Sequence, residues 1–355
     1  MTLHDFAFCL FEDRALSDGG LRLALVSLHD QYPNVPIAAH RPNASTEFIA
    51  WASTLGNVSV LTEPLAGASS WNCKPHALLN TMRHFAVTRA MWIDSDMLIA
   101  GNFDYLIGSG DELVVAQEAL SQPHQGGAAR SEGWGFKCAR DFGFSINSSL
   151  LCVSSRHRDL LERWVALLES AEYVKCQQEP FDTRPISHLG DQDVLQALLC
   201  SEPYAGVPVR FIRSGTEVIH SGGALGYSLT DRLLGLRGSH PSFIHAIGTK
   251  PWWCLYAHVR AARRGWRGTY RRLLVEVSPY MQLARQHRNR IGVCPEWLQF
   301  RSPEGIVLGA VAFGHFALQG WPLCAAATLI TTVTRPFTVA AQRMRVRDAT
   351  ATRPV

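Results

Sequence analysis

The stretch Met91-Trp-Ile-Asp-Ser-Asp-Met-Leu-Ile-Ala100 places two carboxylates, Asp94 and Asp96, at alternate positions inside an otherwise apolar run. Alternate side chains on an extended strand point the same way, so the spacing predicts a single strand presenting both acids on one side. Two buried like charges need a cation. Hard divalent ions take carboxylate oxygens and complete their coordination with substrate phosphates, which makes the pair a candidate diphosphate-binding centre. An acidic strand end that caps the next turn is an equally good reading of the pair taken alone.

Upstream of this stretch, His76 to Thr88 reads as a helix, and Val58 to Leu61, Val35 to Ala39 and Phe6 to Phe11 read as strands. Gly20 to Gln31 shows apolar residues at helical spacing between the first two strands. Alternation of this kind predicts an α/β fold, a mixed, largely parallel sheet flanked by helices, with ligands beyond the carboxyl ends of the strands. Downstream, Phe144 to Val153 reads as a strand and Arg156 to Ala171 as an amphipathic helix. The Gly- and Arg-rich segment from Gln122 to Gly143 has the polarity of an acceptor-binding loop.

The chain has 355 residues, 47% of them hydrophobic and 18% charged, a composition that excludes global disorder. A formal net charge of +4 is too diffuse to predict nucleic-acid binding, and no such motif accompanies it. The nine cysteines form no Cys-x-x-Cys pair, which argues against a disulfide framework or a zinc knuckle and toward a reducing cytoplasm. Phe6 to Phe11 has no basic leader and no small-residue cleavage site, so no secretory signal is expected.

A second motif is His245-Ala-Ile-Gly-Thr-Lys-Pro-Trp252. It combines an imidazole able to ligate metal, a glycine that allows close backbone approach, and a lysine of the kind that binds phosphate. Alone, His245 reads more readily as a structural histidine, and Lys250 reads also as a solvated loop charge.

In order along the chain come Lys74-Pro-His-Ala-Leu, Trp-Ile-Asp94-Ser-Asp96, Ile-Asn147-Ser-Ser-Leu-Leu, Gly-Asp191-Gln192-Asp193-Val-Leu and His245-x-x-Gly248-x-Lys250-Pro-Trp252. This succession resembles glycosyltransferase family 8, the glycogenin-like and bacterial galactosyltransferase-like enzymes, over roughly residues 5 to 253. The resemblance implies a GT-A (Rossmann-like) fold, a nucleotide-sugar donor such as a UDP-sugar, Mn²⁺ (or Mg²⁺), and hexose transfer with retention. It makes Asp94, Asp96 and His245 the metal ligands and sets Gly248 and Lys250 against the donor diphosphate. Lys74 and Asn147 would contact the donor, with Phe11 and Asp13 toward its nucleotide. Asp191 and Gln192 would line the sugar, so Asp191, Gln192 and Lys250 are the candidate catalytic residues. The chain departs from the family pattern in having only Thr249 between Gly248 and Lys250, and Ser148-Ser149 after Asn147.

The composition changes near Cys254, which divides the chain into a transferase domain, 1–254, and a basic, apolar helical extension, 255–355. Arg260 to Arg272 carries six arginines interleaved with Trp266 and Tyr270, suited to anionic lipid, to a phosphate-bearing acceptor or to a solvated helix face. Gly305 to Thr334 holds no Asp, Glu, Lys or Arg. That stretch is long enough to cross a bilayer beside Arg335, Arg343, Arg345 and Arg347, which would hold the protein at the cytoplasmic face of a membrane. His315, Gln319 and Gly320-Trp-Pro322 interrupt it, so a buried helical hairpin is a comparable reading.

The acceptor, whether saccharide, lipid-linked or protein, is not encoded in these motifs. Two other classes compete with the transferase. A non-catalytic nucleotide-sugar-binding or membrane scaffold protein would keep the same ligands. A haloacid-dehalogenase-like phosphohydrolase also sets Asp-x-Asp after a strand, but there Gly and Thr or similar follow, where this chain has Met97-Leu98.

Overall fold

A computed structural model describes residues 5–15, 18–65, 70–107, 110–118, 126–220, 223–238, 240–248, 250–330 and 332. Thr249 and the arginines at 335, 343, 345 and 347 lie outside the described residues. The strands are β1 Phe6–Phe11, β2 Ile37–His40, β3 Val58–Leu61, β4 Arg89–Ile93, β5 Met97–Ile99, β6 Leu113–Gln117, β7 Ile146–Ser154, β8 Val209–Ile212, β9 Val218–His220 and β10 Phe243–His245. Seven of them form one sheet in the order β3-β2-β1-β4-β7-β6-β8, and β5-β10-β9 form a smaller one. In the large sheet β7 runs against both its neighbours, while the pairings β1–β2, β1–β4, β2–β3 and β6–β8 are parallel.

Helices cover both faces, which is why the strands are apolar throughout rather than alternating. In β1, Phe6, Phe8 and Leu10 enter the core beneath the helix Asp18–Gln31. Ala7, Cys9 and Phe11 enter the opposite core, beneath the helices Lys74–His84, Arg158–Leu168 and Asp191–Cys200. The α/β architecture is therefore the one the alternation predicts.

The predicted strand from Met91 to Ala100 is instead two strands in two sheets. β4 ends at Ile93, the chain turns through Asp94-Ser95-Asp96 with Met97 N–H donating to the Asp94 carbonyl at 3.0 Å, and β5 begins at Met97. Leaving the large sheet at this point takes the acidic pair to the carboxyl edge of β4, beside β1. From β1 the sheet grows one way to β2 and the other way to β4, and the crevice at such a reversal is where α/β sheets bind ligands.

The segment after Cys254 packs on the same core as Asp18–Gln31. Leu255, Val275, Tyr280, Met281, Ile291, Trp297 and Leu298 all enter it, and the helix Pro279–Gln286 backs β5 and β10. The outer edge of the Trp252 ring packs against Gly20, where a Cβ would come within 2.6 Å of it. Among the described residues no helix is long and apolar enough to cross a membrane. The uncharged stretch from Gly305, long enough to cross a bilayer, is instead divided into a helix Pro303–Ala310, a turn in which Phe313 and Gly314 both take positive φ, a 3₁₀ turn Phe316–Leu318 and a helix over 321–330.

His40, at the end of β2, is buried against the Thr81 hydroxyl at 3.0 Å, and burial pushes its pKa down to about 4. The unfolded chain takes up a proton near pH 6.5 that the folded chain refuses until about pH 4, so stability falls with pH through that window. Between pH 7.5 and 5 this one group should remove about 2 kcal/mol. In urea titrations at the two pH values, His40→Gln is expected to lose that much less than the parent; an equal loss would refute the assignment.

Candidate active site

A cleft of about 320 Å³ opens at the carboxyl ends of β1 and β4. Phe11, Asp13, Lys74, Asp94, Asp96, Asn147, Asp191, Gln192, His245 and Lys250 all line it. Of the residues singled out in the sequence, Gly248 lies elsewhere: it takes the left-handed conformation, φ +74°, and borders the adjoining cleft.

Asp96 and His245 meet because β5 and β10 pair antiparallel with Met97 opposite His245, and the Ala246 N–H donates to the Asp96 carbonyl at 3.0 Å. His245 Nε2 lies 3.3 Å from Asp96 Oδ1 and 4.0 Å from Asp94 Oδ2. One ligand atom from each of Asp94, Asp96 and His245 falls within 4.8 Å of the others, a spacing that fits a single ion.

The hydrogen bonds behind His245 fix its tautomer. His220 Nε2 lies 2.8 Å from the Gln117 carbonyl, which can only accept, so that nitrogen carries the proton and His220 Nδ1 is an acceptor. His245 Nδ1, 3.0 Å away, donates to it. Burial keeps both rings neutral, lowering His245 and, together with the neighbouring ring of His245, taking His220 to about 4. The His245 Nε2 lone pair is thus left bare and aimed at two carboxylates, an arrangement that repels unless a cation sits among them. Two hard oxygens and one imidazole suit Mn²⁺ or Mg²⁺, with imidazole the softer partner.

Lysines ring these acids. Lys74 Nζ bonds Asp191 Oδ2 at 2.9 Å and the Ser148 hydroxyl at 2.6 Å, and stands 3.7 Å from Asp94 Oδ1. Burial alone would lower its pKa, but Asp191 and Asp94 outweigh that and raise it. Burial likewise opposes ionisation of Asp94, yet Lys74 and the Trp92 indole N–H, 2.6 Å from Oδ1, hold it below the ordinary range. Lys250 closes on Asp96 Oδ2, and its burial takes its pKa down to about 8.

In the segment Gly190-Asp-Gln-Asp193, Asp191 and Gln192 face the cleft. Asp193 turns away to Arg130 at 2.8 Å and fastens the neighbouring helix Gly127–Glu132. The second serine after Asn147, Ser149, hydrogen-bonds through its N–H to Asn147 Oδ1 at 2.9 Å, while Ser148 bridges Lys74 and Asp191.

Several site groups carried no sequence signal. His220 reaches His245 through the parallel register of β9 and β10. Glu118 accepts from Asn147 Nδ2 at 2.9 Å and from Gln192 Nε2 at 3.4 Å, holding both amides toward the cleft. Glu12, rather than Asp13, is the buried acid after β1, and it accepts from Ser95 at 2.7 Å and from Arg14 at 2.8 Å. Only the adjacency Phe11-Glu-Asp13 pointed there.

No family model matches the chain. No curated protein matches it in sequence. In structure it is similar to the galactosyltransferase LgtC, crystallised with donor and acceptor sugar analogues, at 13% identity over 82% of this chain and 99% of that one, with a TM-score of 0.47. It is also similar to the glycosyltransferase GlyE of Streptococcus pneumoniae TIGR4, at 13% identity over 69% of this chain and 56% of that one, TM-score 0.44. The bifunctional glycosyltransferase WbbM is matched at 13% identity over 70% of this chain and 46% of that one, TM-score 0.47. The chain spans about half the length of the GlyE and WbbM chains. At these identities and TM-scores the likeness assigns no activity, and the functional reading rests on the site's own residues.

Proposed function

We propose that this protein is a metal-dependent glycosyltransferase of the GT-A type, similar to family 8, that moves a hexose from a nucleotide-diphosphate sugar, such as a UDP-sugar, to an acceptor hydroxyl with retention. What carries the reading is the bare Nε2 of His245 facing Asp94 and Asp96 between two buried lysines at the sheet's reversal point. Bound there, Mn²⁺ or Mg²⁺ would supply positive charge against the departing diphosphate.

In this reading Lys250, which pairs with Asp96, would be free to bind a diphosphate oxygen once a cation held by Asp94, Asp96 and His245 neutralised that carboxylate. Lys74 keeps Asp191 and Asp94 in place. Asn147 and Gln192, held by Glu118, present amide groups to the donor sugar. An amide is a poor nucleophile, so Gln192 serves to position the sugar. The bond from the anomeric carbon to the diphosphate oxygen breaks as the acceptor oxygen bonds to that carbon on the same face. The acceptor proton passes to the departing phosphate oxygen, and Lys250 stabilises the charge that develops there. Residues 1–254 carry this chemistry in the proposal, and 255–355 form the extension beside it.

A thermal-shift screen of nucleotide-sugars with and without Mn²⁺ tests the proposal, since a ligand that binds only the folded state raises apparent stability by mass action. Joint stabilisation by one nucleotide-sugar and Mn²⁺, with slow donor hydrolysis, is expected. Binding without hydrolysis or transfer to any sugar would favour the non-catalytic scaffold, and fast hydrolysis of simple phosphate esters would favour a phosphohydrolase.

The partner behind the metal ligand gives a separate prediction. His220→Phe removes the acceptor that orients His245 Nδ1–H and should weaken Mn²⁺ binding about 10- to 100-fold. Titration calorimetry reads this directly. Unchanged affinity would mean that the histidine pair is packing alone.

A further inference from the structure

Beside the proposed donor cleft lies a larger one of about 660 Å³, lined by Gly223, Gly226, Gly248, Leu274, Arg263 and Arg271 among others. The two clefts share Ile247 and Trp253 as a common wall. Trp253 is 42% exposed, an indole standing between them as a surface on which a sugar ring can stack. The adjoining cleft is of a size for an oligosaccharide end.

The arginines set its chemistry. Within 260–272, Arg260 pairs with Glu296 at 2.9 Å, and Arg272 approaches Glu276 at 3.9 Å and Glu304 at 3.5 Å, so both serve the fold. Arg263 and Arg271 have no carboxylate partner among the described residues, and both line the cleft. Among the described residues, the Arg263 side chain hydrogen-bonds the Cys254 sulfur, at 3.5 Å. Gly268 lets the helix Trp266–Glu276, which carries Arg271, pack closely on the Arg263 carbonyl, where any Cβ would overlap that oxygen. Two guanidinium groups without counter-ions, on a wall that continues into a transferase site, match a phosphate held bidentately.

We infer that this second cleft is the acceptor subsite, and that it selects an acceptor bearing a phosphate, which Arg263 and Arg271 bind while Trp253 stacks on the sugar next to the reacting hydroxyl. The inference rests on the proposed transferase reading. The phosphate can belong to a soluble sugar phosphate or to the headgroup of a lipid, and the test separates them.

The full-length protein, saturated with UDP and Mn²⁺ so that the diphosphate site is filled, is titrated with glucose 6-phosphate, mannose 6-phosphate and galactose 6-phosphate, and with their neutral methyl glycosides. Sedimentation with phosphatidylcholine vesicles, with and without one fifth phosphatidic acid, forms the lipid arm. At least one phosphorylated probe should bind about tenfold or more tightly than its neutral counterpart, and the double variant Arg263→Gln/Arg271→Gln should lose that advantage while keeping the UDP- and Mn²⁺-induced thermal shift. Arginine-dependent binding of the sugar phosphates alone assigns a soluble acceptor; arginine-dependent binding to the acidic vesicles alone assigns a lipid phosphate. If neutral and phosphorylated probes bind alike in both arms, or the double variant binds as the parent does, the inference is overturned. No thermal shift with UDP and Mn²⁺ would instead count against the transferase reading, and the arginine comparison still reports on the subsite.

Discussion

Asp96→Asn is expected to abolish Mn²⁺-dependent donor hydrolysis, lowering turnover by roughly a thousandfold, the scale of several kcal/mol of charge stabilisation at the departing diphosphate. The substitution preserves the shape of a side chain that is 6% exposed and keeps one oxygen for Lys250, so the fold should persist. What changes is charge: the ligand set falls from two carboxylates and an imidazole to one carboxylate, an amide and the imidazole. Saturating Mn²⁺ stabilises the parent by about 2.7 kcal/mol at a hundred times its dissociation constant, and that gain should disappear in the variant. Asp94→Asn should behave alike, with an added loss because the Trp92 indole N–H and Lys74 both address its carboxylate. A well-folded Asp96→Asn protein with full hydrolysis and a full Mn²⁺ shift would end the metal-site reading.

Lys74→Met should produce the largest change in stability of any single replacement in the cleft. Lys74 is the buried counter-ion of Asp191 at 2.9 Å and a neighbour of Asp94 at 3.7 Å, and removing one partner of a buried ion pair strands the other. The expected cost is about 3–5 kcal/mol, read as a lower urea midpoint. Mutating Asp191 as well removes the stranded charge, so Lys74→Met/Asp191→Asn should recover much of the loss, and a double-mutant cycle would report strong coupling. Mn²⁺ should also restore part of the stability, because it neutralises Asp94 but leaves Asp191 alone. Equal stability of Lys74→Met and the parent, or no recovery in the double variant, would show that Lys74 is not the site's internal counter-ion.

These expectations bear on how the motifs are read. Lys74-Pro-His and Gly-Asp191-Gln192 look in sequence like two donor-binding pieces, yet in the fold they are joined by one ion pair and by Ser148. Of the two serines after Asn147, Ser148 therefore has a structural task, bridging the lysine and the aspartate. Gly248, two residues before Lys250, borders the adjoining cleft, while Lys250 returns to Asp96.

The sequence by itself determined the α/β class, because apolar strands alternating with helical periodicity can bury both faces of a sheet only between helix layers. It also singled out Asp94, Asp96 and His245 as candidate metal ligands, since acids at alternate positions in an apolar run carry a charge problem that is legible without coordinates. Tertiary structure decided the rest. The break of Met91 to Ala100 at Asp94 follows from β5 pairing with β10 rather than continuing the large sheet, a choice made by contacts some 145 residues away. His220, Glu118 and Glu12 reached the site through strand register and sheet order, which no local pattern encodes. The histidine tautomer depended on a carbonyl at the end of β6. Local chemistry names which groups can hold a cation, but only long-range pairing aims their lone pairs at one point.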